Sequence, residues 1–145
     1  MKLSTKGRYG VRLMLDLAMR YGEGPVFLKA IAKRQDISEK YLWQLIFPLK
    51  RAGLIISSRG AHGGYELSRA PKEITLKDIV CVLEGSVCLV DCVESPNSCK
   101  RSGFCVTRDI WAILSENVLN TLKSFTLEEM VNRQKKKNKF INYSI

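Results

Sequence analysis

Cys92, Cys99 and Cys105 stand in a C-x6-C-x5-C run. Thiolates are soft ligands that bind iron or zinc and that oxidise to disulfides. The spacing separates these uses. The C-x2-C pairs of zinc ribbons and the Cys-x-x-Cys of thioredoxin-like enzymes are absent. An iron–sulfur cluster is wide and accepts ligands from an extended segment. Pro96, Asn97, Ser98, Ser102 and Gly103 supply turn chemistry to fold the run back on itself, and no helix or sheet is predicted to hold the thiols in register. A metal or cluster site leads, with a disulfide switch and inert thiols as the alternatives. Cys88 lies four residues before Cys92, close enough to donate to the same site or to pair when a cluster is lost. Cys81, beside Val80 and Val82, reads as a small core residue.

The elements that must position this loop belong to a chain of 145 residues, enough for one good core or for a small domain plus a dimerisation element. Lys and Arg number 24 against 14 Asp and Glu, a formal charge of +10, and such an excess on a small chain answers a polyanion, nucleic acid first. The apolar stretches are too short to span a bilayer, and the N-terminus has no secretory h-region. A cytoplasmic protein with reduced thiols is expected. No Ser/His/Asp set, phosphate-cradling glycine loop or paired carboxylates appear, so an enzyme is not expected. A small redox carrier would need neither of the basic elements described next.

Ser4 or Thr5 opens a first helix with Val11, Met14, Leu15 and Ala18 inward, ended by Gly22, Gly24 and Pro25. A short helix with Leu28, Ile31 and Ala32 inside stops near Asp36. A third begins at Ser38, buries Leu42, Leu45, Ile46 and Leu49, carries Pro48, and ends at Gly53. Two alternating runs, 54–59 and 65–68, flank Gly60-Ala61-His62-Gly63-Gly64 and read as a hairpin. Three helices and a glycine-tipped hairpin describe a winged helix-turn-helix.

Lys40, Trp43, Gln44, Phe47 and Arg51 fall opposite the leucines of the third helix, and Arg59 sits at the base of the wing. Gln44 can pair with an adenine edge, while Lys40, Lys50 and Arg51 neutralise phosphates. Exposed Trp43 and Phe47 together do not suit an idle solvated face. The sole histidine, His62, lies in the wing turn, where a phosphate contact is expected rather than metal ligation.

A fourth helix is capped by Thr75 with Asp78 and packs Leu76, Ile79, Val80 and Leu83. The cysteine loop follows, then a long helix over 106–124 whose apolar residues, Ile110, Trp111, Ile113, Leu114, Val118, Leu119 and Leu122, exceed what one small domain would bury. A homodimer interface is the expected use, since two-fold proteins read paired half-sites. A last helix opens at Thr126 with Glu129 and is predicted to end before Lys135-Lys136-Lys137-Asn138-Lys139, a solvated tail. The expected organisation is a DNA-binding winged helix-turn-helix over 1–70, a linker helix, cysteine loop and dimerisation helices over 71–134, and a basic tail over 135–145.

Lys2-Leu3-Ser4-Thr5-Lys6-Gly7-Arg8-Tyr9-Gly10, the stretch from Tyr41-Leu42 to Gly53-Leu54, the wing from Arg59-Gly60 to Gly63-Gly64-Tyr65, and Thr126-Leu127-Glu128-Glu129 together resemble the Rrf2 family of bacterial transcription regulators. The resemblance runs to about Asn132. It implies a mostly helical winged-helix homodimer that binds double-stranded DNA, most simply as a repressor. In its cluster-binding branch three loop cysteines ligate iron, and Cys92, Cys99 and Cys105 occupy the matching places, with a 2Fe-2S cluster expected before a 4Fe-4S one. The fourth ligand departs from the pattern. A histidine of one branch is replaced by Arg108 and an aspartate of another by Arg8, neither of which can bind iron. Cys88, Asp91, Glu94, Asp109 or an outside thiol must then serve, or one iron is open and the cluster labile. A second branch, cluster-free repressors of cysteine metabolism, works through a complex with cysteine synthase. A terminal isoleucine can enter such an enzyme's active site by carboxylate capture, and this chain ends in Ile145.

Overall fold

A computed structural model of the chain describes residues 2–143; the expectation placed on Ile145 lies outside them. Hydroxyl caps set the helix starts. The Ser4 hydroxyl accepts from the Gly7 N–H and opens α1 (Thr5–Met19), and Ser38 accepts from Tyr41 and opens α3 (Glu39–Arg51). Between them α2 (Leu28–Gln35) ends on Asp36, whose φ of 52° is the left-handed turn that lets the chain double back. Pro48 is accommodated inside α3, and its carbonyl accepts from Ala52 at 3.0 Å. The antiparallel strands β1 (Ile55–Ser58) and β2 (Gly64–Leu67) pair Ile55 with Leu67 and Ser58 with Gly64. Thr75 and Asp78 exchange both bonds of a capping box at the start of α4 (Leu76–Glu84). One helical turn, α5 (Asp91–Glu94), and a 3₁₀ turn (Pro96–Ser98) precede α6 (Val106–Ser124) and α7 (Leu127–Tyr143). The chain is a mostly helical winged helix-turn-helix with two long C-terminal helices.

Two expectations are corrected. The cysteine segment is not free of regular structure, because Cys92 lies on α5 and a Pro96-led 3₁₀ turn stands between it and Cys99. α7 does not stop before the lysines. Lys, Gln and Arg are good helix formers and no Gly or Pro follows Thr126, while Arg133–Glu129 and Gln134–Asn138 bonds, both 2.9 Å, brace successive turns. The inward face of α1 also centres on Leu13, Met14, Leu17 and Ala18, with Val11 and Leu15 half-buried at its edge.

One core joins the two halves of the chain. Leu13, Met14, Leu42, Leu45, Ile46 and Leu49 pack in the same cluster as Ile74, Ile79 and Leu127. α1 is its centre, and Gly10 lets α4 approach so closely that an added Cβ would lie 1.9 Å from Leu83 Cδ1. α7 is pinned to the start of α4 by a short antiparallel bridge: Leu76 N–H donates to Phe125 O at 2.8 Å and Leu127 N–H to Ile74 O at 2.9 Å.

The register of α2 against α1 rests on Asp16, which is 3% exposed. Its carboxylate accepts from Arg34 Nε at 3.0 Å, from Arg34 Nη2 at 2.7 Å and from Gln35 Nε2 at 2.9 Å, with Arg20 Nη1 at 3.8 Å. Burial pushes the Asp16 carboxyl up, but the bonds from Arg34 and Gln35 and the nearby positive charges more than offset it, so the group sits below the usual aspartate value. A carboxyl lowered on folding stabilises the protein fully above its unfolded value, about 3.9, and that contribution is lost as pH falls through the folded value. Asp16→Asn is expected to cost about 2 kcal/mol at neutral pH. Urea titrations should show the gap to wild type closing in that acid range; a gap unchanged in strong acid would exclude the carboxylate charge as its source.

Candidate nucleic-acid interface and cysteine loop

Helix α3 turns its leucines to the core and leaves the opposite stripe in solvent. Lys40, Trp43, Gln44, Phe47, Lys50 and Arg51 are all exposed, Trp43 at 57% and Phe47 at 68%. They recur at three- and four-residue steps and so form one continuous face. The wing stands beside it. Lys50 Nζ donates to Ser57 Oγ on β1 at 2.6 Å, and Trp43 meets the Tyr65 ring of β2 edge to face, with centroids 6.0 Å apart. Tyr65 is in turn held by a two-bond bridge to Val26, 2.8 and 2.9 Å, ahead of α2. Burial raises the pKa of its hydroxyl.

Between α3 and the wing runs a groove of about 460 Å³ lined by Phe27, Trp43, Phe47, Lys50, Arg59 and Tyr65. Phe27, which precedes α2 and is 53% exposed, and Tyr65 were not expected there. An apolar ring directly after Pro25-Val26 and before a basic helix is the sequence signal for the first; the second is marked only by its place opposite Trp43, which needs the folded hairpin. Arg59 and His62 are exposed on the wing, and Arg59 lines the groove that faces α3 while His62 does not. The whole arrangement is a protruding helix with a basic rim, apolar rings at its centre and a hairpin at its side.

The cysteine segment is fastened to α6 at two points. Arg108 Nε donates to the Cys92 carbonyl at 2.9 Å, and Ser115 Oγ, buried at 2%, accepts from the Leu89 N–H at 3.2 Å. Arg108 thus holds the loop by its backbone. Cys105 is the N-cap residue of α6, and its Sγ lies 3.1 Å from Thr107 Oγ1. The Thr107 hydroxyl, then the Arg108 N–H and the charge of Arg101, lower the Cys105 thiol pKa. All five cysteines are free and half-buried, Cys81 included, so it is not the sealed core residue the sequence suggested. Thiolates are in kind the donors that an iron–sulfur cluster takes, and Cys92, Cys99 and Cys105 are the residues that would have to hold one. Among the described residues no three His, Cys, Asp or Glu side chains converge as a metal-holding group.

The flanking helix α6 offers little of itself to the core. Only Ser115 is buried, while Val106 (72%), Ile110 (48%), Trp111 (39%), Ile113 (54%) and Leu114 (42%) are exposed. Among the described residues no helix is long and apolar enough to cross a membrane.

Residues 3–133 match the Rrf2 family model, described as an iron-dependent transcriptional regulator. The chain is 44% identical over 131 residues to the protein rrf2 of Nitratidesulfovibrio vulgaris, covering 90% of this chain and 87% of that one. It is 45% identical over 130 residues to the HTH-type transcriptional regulator CymR of Bacillus subtilis, covering 90% and 89%. The solved structure of T. potens IscR superposes with a TM-score of 0.76 at 46% identity, over 92% of this chain and 88% of that one.

The lowered thiol pKa of Cys105 is expected to make it react readily with an alkylating agent at neutral pH. Peptide mapping after a brief iodoacetamide pulse should find Cys105 labelled first and Thr107→Val slowing it; equal labelling of all five would remove the special character given to this site.

Proposed function

Because the chain belongs to the Rrf2 family of transcription regulators, we propose that it acts as a cytoplasmic homodimer, a repressor in the simplest case, that binds duplex DNA through α3 and the wing and senses iron–sulfur, redox or nitric oxide status through its cysteine loop. Regulators, not enzymes, are what the family comprises. The DNA-facing set is Lys40, Trp43, Gln44, Phe47, Lys50, Arg51, Arg59 and His62, with the cations taking phosphates and Gln44 a base edge. The apolar face of α6 joins two copies, which gives the pair of reading heads that a two-fold operator requires. In this reading 1–70 reads DNA, 71–134 senses and dimerises, and the basic stretch from 135 onward adds attraction to the polyanion.

Cys92, Cys99 and Cys105 would hold the cluster, which supplies a redox- and nitric-oxide-reactive centre when bound. The observation that carries this reading is the place of Cys105 as the N-cap of α6. A change in the charge or bonding of that thiol acts directly on the first turn of the helix that joins the two copies. Arg108, donating to Cys92 O, transmits movement of α5 to the same turn. A difference of about 1 to 3 kcal/mol between two dimer arrangements is enough to switch DNA affinity. The test is protein purified without oxygen, compared with a Cys92/Cys99/Cys105 triple alanine variant. Charge-transfer absorption with matching iron and acid-labile sulfide, lost in the variant, is the expected outcome; a colourless wild type that takes up no cluster on reconstitution would refute it.

A second reading is favoured by the absence of a converged ligand group among the described residues and by the likeness to CymR. In it the chain carries no cluster and regulates sulfur metabolism through a complex with cysteine synthase, docked by Ile145. Deleting Ile145 should then abolish co-purification of the two proteins, whereas retained binding would dismiss that docking.

A further inference from the structure

A helix face that only neutralised phosphates would be lined by cations. The α3 stripe instead exposes Trp43 and Phe47, 57% and 68%, in a groove rimmed by Lys50 and Arg59, with Gln44 exposed on the same helix face. Leaving two large rings in water is unfavourable by the apolar area they show. Neither ring relieves this by folding onto the core. Trp43 is held upright by its edge-to-face contact with Tyr65, and Tyr65 by its bridge to Val26. Both rings are thus open to something apolar that arrives with a polyanion, Trp43 in a fixed orientation.

In the major groove of duplex DNA the one apolar group on a base edge is the thymine 5-methyl, and the same A·T pair presents adenine N6 and N7. Gln44 matches the adenine edge in donor and acceptor, and it sits one residue from Trp43 and three from Phe47. We propose that Trp43 and Phe47 are specificity-determining residues that read thymine 5-methyl groups beside an adenine read by Gln44, so that the half-site is defined by A·T pairs. The proposal rests on the DNA-binding reading above. Stacking of single-stranded bases on the same rings is the competing use, disfavoured because the rings lie along one exposed helix face rather than on a sheet.

The experiment begins with selection of random duplexes on the full chain, followed by replacement of thymine with deoxyuridine at each position of the selected site, which removes only the methyl. Affinity should fall about fourfold for each methyl that a ring covers. Phe47→Ala, at a side chain outside the core, should erase that difference at its position while leaving the salt dependence of binding unchanged, because no phosphate contact is lost. A thermal melt checks that the variant is folded. Selected sites that tolerate deoxyuridine throughout, a Phe47→Ala protein whose discrimination is unchanged at every position, or tighter binding of single strands would each overturn the methyl-reading proposal. Failure to retain any nucleic acid would instead overturn the DNA-binding reading beneath it.

Discussion

Asp16 is 3% exposed and takes three hydrogen bonds from Arg34 and Gln35, so α2 cannot turn or slide along α1 without stranding a buried charge. The left-handed Asp36 then leaves little freedom in the step from α2 to α3. Arg12 adds a second tie, bonding to the side chain and the carbonyl of Gln35. The direction in which α3 leaves the body is thus set by polar bonds at one end and by the leucine face at the other. Hydrophobic packing alone tolerates rotation of a short helix; a forked guanidinium–carboxylate pair does not.

The second half of the molecule has the opposite character. α6 touches α4 and α5 but buries little, and Ile110, Trp111, Ile113 and Leu114 remain in water in a single copy of the chain. Such a helix is stable only when something covers it, because few residues of a 19-residue element are otherwise packed. The cysteine segment is thus fastened to the start of a helix that buries little of itself, and a change there meets little packing resistance.

Much of this was legible before folding. Hydroxyl caps and apolar spacing located α3, the wing, the Thr75–Asp78 box and both ends of α6, because those signals are local. Asp16 was not noticed, although a carboxylate among Leu13, Met14, Leu17 and Ala18 is a visible anomaly; what it lacked was a partner, and Arg34 is supplied by a different helix. The end of α7 was misplaced because a run of like charge reads as solvated, which it is, while solvated lysines on a helix surface do not break the helix. Cys92 on a helical turn, and Arg108 as a tether for its carbonyl, depend on how the loop packs against α6. The exposed rings of α3 were legible as a pair, whereas Phe27 and Tyr65 join them only through tertiary contacts.

The bridge between Thr75 and Thr126 closes the chain on itself. The segment from Gly85 to the end of α6, four of the five cysteines included, runs between α4, which is packed in the core, and this clamp. The entropy of closing such a loop is met once, by the clamp, and grows only slowly with what lies inside it. The interior can therefore vary in length, or open as a separate cooperative unit, while Ile74, Leu127 and the helices around α1 stay folded. In evolutionary terms this is an insertion site with a fixed socket: the cysteine-bearing segment can be exchanged for another without redesigning the part of the molecule that carries α3.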